Sequence, residues 1–260
     1  MIDKKKYLLH KIVGKPLLYF DSLESTNITA AQMAQKGTGE GTIIQADFQL
    51  AGRGRLGRKW DSPPGKGLWF SLILRPRIEP QFGAQLTLLT AVSLVETIDI
   101  FANLRCCIKW PNDLLFGEKK IGGILSEMTL DEMGNIDYVI VGIGLNVNFT
   151  KIDFDKSVAD TATSIYLQTG NLFDRSEVLL AFREIFEKHY ELWLARGFEF
   201  VRERWLAYNC TLGKNVTVKD DGKVIFEGIA ESIKSDGSLI VKATDGTRKE
   251  FDFGEISIRF

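Results

Sequence analysis

The sequence predicts an α+β protein: a mixed or antiparallel sheet with flanking helices, followed by a small C-terminal β module. Three observations predict it. Residues 84–104 contain no glycine or proline and carry apolar residues at 88, 91, 92, 95 and 98, the spacing of a buried helix face. Short apolar runs bounded by turn residues stand before and after that helix. Beyond Cys210 the texture changes to alternating apolar and polar residues, interrupted at near-regular intervals by DDG, SDG and TDG.

Taken in order, LLYFD (17–21) reads as a short strand. SLESTNITAAQMAQKG has small polar residues at its start and Gly37 at its end, which are helix start and stop signals. TIIQADFQ (42–49) and LWFSLIL (68–74) are strands on either side of a glycine–arginine run. After the long helix come strands CIKW (107–110), KIGGILSEM (120–128) and DYVIVGIGLNVN (137–148). The turn GNID joins the last two and implies antiparallel neighbours. Residues 150–173 are irregular. A second long helix over 175–195 carries Leu179, Phe182, Phe186, Tyr190 and Trp193 at helical spacing and ends at Gly197, and a short helix follows near 198–208. His10 and His189 stand in no partner pattern and read as surface or helix residues. Residues 1–210 thus form the large unit and 211–260 a β-barrel-like one.

Composition restricts the function. The chain has 33 basic against 34 acidic residues, so any nucleic-acid affinity must be local rather than general. Cys106 and Cys107 are adjacent and Cys210 is distant, which gives no zinc spacing and reads as buried thiols in a reducing compartment. The N-terminal stretch has a lysine run but no signal-peptide apolar core, and no run of about 18 apolar residues occurs. The expected address is the cytoplasm, with no membrane.

GRGRLG (52–57) formally fits G-x-G-x-x-G. A dinucleotide turn must open a helix, and Pro63 and Pro64 bar one here. The kinase reading lacks its later lysine, H-R-D and D-F-G. The segment is instead a glycine-rich loop between strands. Its Arg53, Arg55 and Arg58 offer planar donor forks suited to carboxylate and phosphate. On the loop alone, an exposed basic segment with no ligand remains open. Three more stretches add to it. KWPNDLLFGEKKIGGILSE (109–127) has a turn, lysines and a Gly-Gly pair inside a strand. VGIGLNVN (141–148) places Gly142 and Gly144 on one strand face, and ESTN (24–27) puts hydroxyls and an amide at a helix start.

ESTN, Q-x-x-GRGRxGRxW, KWPND, KKIGGIL and GIGLNVN, in this order, resemble the biotin protein ligases from about residue 17 to the end. The resemblance implies a class II aminoacyl-tRNA synthetase-like catalytic domain over 1–210 and an SH3-like barrel over 211–260. It implies activation of biotin by ATP to biotinyl-5′-AMP, then transfer to one lysine of a biotin carboxyl carrier protein domain. It also implies residue roles. Ser25, Thr26 and Gln49 bind the ureido head, with Asn27 beside them. Gly52, Arg53, Gly54 and Arg55 form the loop over biotin and the adenylate. Arg58 reaches toward phosphate, Trp60 packs by the adenine, and Asn146 lies near it. Lys120 bridges the biotin carboxylate and the α-phosphate, with Asn112 and Asp113 lining the same site. Gly123, Gly142 and Gly144 let strands press against the bicyclic ring. Lys109 positions the loop or the acceptor. Many members have arginine where Leu56 stands, so no charge contact is expected of that position. Many bacterial members begin with a winged-helix domain. The first catalytic strand starts near residue 17 here, so no operator binding is expected of this chain. A homodimer through a sheet edge fits the family.

The chemistry suits these residues. A buried ureido needs a partner for every N–H and C=O, and small hydroxyls and amides supply them. Joining a carboxylate to a phosphate crowds negative charge that Lys120 and the loop arginines can neutralise. Mg²⁺ on the ATP phosphates would assist departure of pyrophosphate, and no dedicated protein cage for it is visible in the sequence. Two alternatives stand beside this reading. A lipoate or octanoate ligase would share the fold but need a long apolar channel without ureido donors. A nucleic-acid binder would need a wider basic surface and stacking aromatics.

Overall fold

The computed structural model describes residues 13–220, 222–252 and 256–259. Strand β1 (Leu17–Leu23) runs into helix α1 (Thr26–Gln35) and returns as β2 (Ile43–Gln49), parallel to β1. Parallel neighbours require such a crossover, and α1 supplies it. Strand β3 (Gly67–Leu74), helix α2 (Gln85–Ala102), strands β4 (Cys107–Lys109), β5 (Asp113–Phe116), β6 (Lys119–Leu130) and β7 (Ile136–Asn146) follow. Helices α3 (Ile165–Thr169), α4 (Arg175–Arg196) and α5 (Glu199–Tyr208) complete the large unit. Its sheet has the order β1-β2-β3-β7-β6-β5-β4 and is antiparallel apart from the β1–β2 pair, so the expected mixed sheet is found.

The two faces of the sheet follow from strand alternation. Ile43, Leu72, Leu74, Val139, Val141 and Ile143 point into the main core with α2 and α4. Ile44, Ile73, Tyr138 and Ile140 point the other way and pack on Ala30 and Ala34 of α1. Helix α2 is long and apolar enough by composition to cross a membrane, but it is the core helix, with Leu88, Leu89, Ala91 and Val95 fully buried. The α1 face matters for function, because α1 covers only one end of it. Toward the other end, the same alternation puts Trp69, Ser71, Gly142 and Gly144 on this side, and Gly142 and Gly144 line a cleft there.

Three details differ from the sequence expectation. Strand β5 is not anticipated, since DLLF is too short to show a period. His189 is in a helix as expected, but it is buried, 3.0 Å from the Ser93 hydroxyl through Nδ1 and 3.3 Å from Glu96 through Nε2. His10 lies outside the described residues. Of the thiols, Cys106 alone is buried, while Cys107 and Cys210 are half-buried and face each other.

The C-terminal module is a five-stranded antiparallel sheet, β8 (Asn215–Asp220), β9 (Lys223–Ile233), β10 (Leu239–Lys242), β11 (Arg248–Phe251) and β12 (Ile256–Arg259), in the order β11-β10-β9-β8-β12. Gly222, Gly237 and Gly246, the glycines of DDG, SDG and TDG, have φ of 76°, 94° and 89°, the left-handed turns those tripeptides signal. The module docks on the KWPND stretch. The buried Trp110 gives its backbone N–H to Thr211 Oγ1 at 2.8 Å and its indole N–H to Gly237 O at 3.0 Å.

Candidate active site

Two adjoining chambers open on the α1 side of the sheet. The inner one, about 50 Å³, is lined by Ser25, Thr26, Asn27, Gln49, Gly142 and Gly144 among others. The outer one, about 330 Å³, is lined by Arg58, Lys109, Asp113, Asn146, Phe154 and Ala162 among others. Gly54, Arg55, Trp60, Asn112 and Lys120 belong to both walls and form the neck between them. Residues spread over more than a hundred positions of sequence thus converge on one cleft.

Lys120 reaches the neck because of a β-bulge. Strict alternation along β6 would put Lys120 on the face opposite Gly123. The β5–β6 register shifts between Leu114 and Leu115, so Leu114 pairs with Gly122 but Leu115 with Lys120. Ile121 is thereby buried in the core, and Lys120 comes onto the cleft face. Its Nζ lies 2.5 Å from Asp113 Oδ1 and 5.0 Å from the Trp60 ring centre. The backbone of Lys120 is clamped to the irregular stretch after β7, with its N–H given to Thr161 O and its carbonyl accepting from Thr163 N–H.

KWPND is a hairpin loop. Lys109 pairs with Asp113 across β4 and β5, and Trp110, Pro111 and Asn112 form the tip, with a cis Trp110–Pro111 peptide. Asn112 is buried and spans the site: its Nδ2 donates to Ile124 O at 2.9 Å, and its Oδ1 accepts from Arg55 Nη1 at 2.9 Å. Burial pushes the Arg55 guanidinium below its ordinary value; Asp113 opposes this, and the neighbouring Arg58 charge adds to it.

The arginine loop is docked and closed on itself. Arg53 pairs with Lys59 as an isolated bridge, Gly54 N–H donates to Arg58 O, and Trp60 N–H donates to Gly52 O. Gly52 lines neither chamber. A Cβ there would stand 2.3 Å from Trp60 O and 2.7 Å from Ser62 Oγ, so its role is close approach of the two loop stems. Leu56, at the loop tip, takes the left-handed conformation with φ 57° and ψ 38°.

Beneath the inner chamber runs a polar chain. Gln49 Oε1 accepts from Thr26 N–H at 2.8 Å and lies 3.2 Å from Thr26 Oγ1, while Gln49 Nε2 donates to Ser62 Oγ at 2.8 Å. The Ser71 hydroxyl lies 2.8 Å from Thr26 Oγ1 and 2.6 Å from Asn27 Oδ1. Asn27 Nδ2 donates to Glu127 Oε2 at 2.7 Å. Ser25 is the buried residue before the first turn of α1 and makes no side-chain cap. The sequence reading misses Ser62, Ser71 and Glu127. A signal existed for Ser71, the one polar residue in LWFSLIL and fully buried.

Two placements add to the expectation. What approaches Gly142 is Asn27, whose Oδ1 would be 1.9 Å from an added Cβ. What covers Gly123 and Gly144 is Trp60, with ring atoms 3.1 Å and 2.5 Å from Cβ atoms built there. Trp60 therefore stands between the chambers, over the glycines, and lines both. Asn146 lines the outer chamber and donates from Nδ2 to Thr163 O at 2.9 Å.

Comparison with known proteins agrees with this geometry. Residues 19–146 match the biotin/lipoate A/B protein ligase family, and residues 211–259 match the biotin protein ligase C terminal domain. The bifunctional ligase/repressor BirA of Bacillus subtilis is 40% identical over 239 residues, 92% of this chain and 73% of that protein. The biotin–[acetyl-CoA-carboxylase] ligase of Paracoccus denitrificans is 31% identical over 230 residues, 86% of this chain and 92% of that protein. The solved structure of the Aquifex aeolicus biotin protein ligase in complex with biotin and ATP superposes with a TM-score of 0.80 at 32% identity, covering 94% of this chain and 99% of that one. The cleft, the small antiparallel C-terminal domain and these relatives lead to one assignment: the chain belongs to the biotin protein ligase family.

Proposed function

We propose that this chain activates biotin with ATP to biotinyl-5′-AMP and then transfers biotin to a lysine of a biotin carboxyl carrier protein domain. The observation that carries the reading is the neck, where Lys120, Arg55 and Asn112 stand between two chambers of different character. The inner chamber has a floor of hydroxyls and amides, the donor and acceptor set a neutral ureido needs. The outer chamber has arginine, lysine and aromatic walls, which suit a nucleotide. A carboxylate entering from one side and an α-phosphate from the other meet beside Lys120 Nζ.

In this mechanism Ser25, Thr26 and Gln49 bind the ureido head, and Asn27 holds the floor beneath it. The carboxylate oxygen attacks the α-phosphorus and pyrophosphate leaves. Lys120 and Arg55 neutralise the charge that accumulates on the crowded phosphorus. Asp113 holds Lys120 in place before substrates arrive. Asp61 and Asp113 line the outer chamber but are each engaged by a lysine, and no group of metal ligands occurs among the described residues, so a Mg²⁺ would be held mainly by the ATP phosphates. Mg²⁺ supplies neutralisation of the phosphate charge when bound. Trp60 and the docked loop over the neck keep water from the mixed anhydride. The neutral amine of the acceptor lysine then attacks the acyl carbon, and AMP departs with the electrons of the broken anhydride bond.

The test is incubation with ATP, Mg²⁺, biotin and a carrier domain, read by intact mass. The carrier gains one biotinyl group on its lysine. A carrier that stays unmodified while lipoate or octanoate is attached instead refutes the substrate assignment. The wall of the inner chamber, polar rather than a long apolar channel, favours biotin over those acyl groups.

A further inference from the structure

The arginine loop has two stems, and one polar chain joins them beneath the inner chamber. From the first stem, Arg53 Nη1 lies 3.6 Å from Glu127 Oε1. The other oxygen of Glu127 accepts from Asn27 at 2.7 Å, and the chain continues through Ser71, Thr26 and Gln49 to Ser62. Ser62 Oγ donates to Trp60 O at 3.1 Å, which is the second stem. The links from Asn27 through Ser71, Thr26 and Gln49 to Ser62 join neutral groups. The Arg53–Glu127 contact is the ion pair of the series and is half-exposed on both sides.

We infer that Glu127 is a positioning residue that latches the arginine loop and ties that latch to the biotin head site. The inference rests on the biotin reading of the inner chamber. Glu127 lines neither chamber; it acts through Arg53 on one side and Asn27 on the other. The position is fixed by strand alternation: Gly123, Leu125 and Glu127 share a face of β6, opposite Gly144, Gly142 and Ile140 of β7. A ligand that engages Thr26, Asn27 or Gln49 orders the chain, and an ordered Asn27 holds the Glu127 carboxylate toward Arg53. Loop closure and head-group binding are thereby one coupled event, and coupling of this kind is reciprocal.

Two substitutions separate the charge from the hydrogen bond. Glu127→Gln keeps an oxygen that accepts from Asn27 but removes the attraction for Arg53. Glu127→Asp keeps the charge on a shorter stem. Biotin release is followed by stopped flow at low and high salt, and loop closure by the protection biotin gives against trypsin at Arg53, Arg55 and Arg58. Glu127→Gln releases biotin about two- to fivefold faster than the unsubstituted protein, the range of a partly exposed ion pair. It loses protection, and its release rate no longer rises with salt, whereas the unsubstituted protein's does. Glu127→Asp falls between the two and keeps the salt response. Unchanged release and protection in Glu127→Gln overturn the latch while leaving the biotin reading intact. Equal losses in both variants with the salt response retained also overturn it, since they mark a packing role. Failure of the unsubstituted protein to bind biotin overturns both.

Discussion

Gly144→Ala tests whether Trp60 and the glycine floor define the inner chamber. The added Cβ stands 2.5 Å from Trp60 Cε2, 2.6 Å from Nε1 and 2.8 Å from Cζ2. Carbon contacts are comfortable near about 3.5 Å, so the ring must retreat by about 1 Å. It cannot slide freely, because Trp69 meets its edge with ring centres 6.4 Å apart and the backbone N–H of Trp60 is held by Gly52 O. Overpacking of this kind costs about 1–3 kcal/mol. At 1.4 kcal/mol per tenfold, biotin binding weakens about 5- to 150-fold if the whole cost falls on the site. Trp60 belongs to a loop stem rather than to the core, so the loop yields before the sheet does. The melting temperature, which moves roughly 2–4 °C per kcal/mol in a chain near this size, shifts by only a few degrees. Titration calorimetry with biotin, beside thermal denaturation, reads both effects. Gly39→Ala is the control, since nothing lies within 4 Å of its added Cβ. Biotin affinity of Gly144→Ala within twofold of the unsubstituted protein refutes the reasoning.

Three further outcomes follow from the same geometry. Lys120→Ala leaves Asp113 without its partner and slows pyrophosphate release by about 10²–10³-fold, the usual loss for one charge-stabilising donor, with circular dichroism unchanged; normal release sinks the assignment of Lys120. Arg55→Gly removes a guanidinium bond to buried Asn112, and at about 1.5–3 kcal/mol for a charged hydrogen bond it loses biotinyl-5′-AMP at least tenfold faster in a filter-retention assay; retention equal to the unsubstituted protein removes the lid role. Trp110→Phe deletes the indole bond to Gly237 and leaves a buried carbonyl unpaired, so unfolding stability falls by about 1–3 kcal/mol in a urea titration, and an unchanged midpoint shows that the module does not dock through this bond.

The elements legible in the sequence are those whose neighbours are of one kind. Helix α4 keeps a buried stripe at helical spacing, and α2, buried on all sides from Gln85 to Val95, shows as a long apolar run without glycine or proline, so both are readable to within a few residues. Strands β3 and β7 are central and show as apolar runs. Strand β5 was invisible because four residues, two of them core leucines, carry no period. In the site, residue types were legible and facing relations were not. Ser25 to Asn27, Gln49, the arginine loop, KWPND and the paired glycines stand out as sequence and do converge. Which of them touch depends on long-range register. The positions of Asn27 over Gly142 and Trp60 over Gly144 are set by how α1 and the loop lie across β7, and no local pattern encodes that.

Lys120 shows the limit most clearly. Its neighbours Ile121, Gly122 and Gly123 read as a regular strand, and regularity would turn the lysine away from Asp113. One extra residue in β6 reverses this, and only the pairing with β5 records it. Leu56 adds the energetic side of the argument. An L-residue held at φ 57° costs about 1–2 kcal/mol, and this one is 44% exposed at the loop tip. The docked loop is therefore held down by its contacts at Arg55, Arg53 and Trp60 against a local strain that favours release. The position that lacks charge in GRGRLG supplies the opposing force, and the arginines on either side supply the closing one.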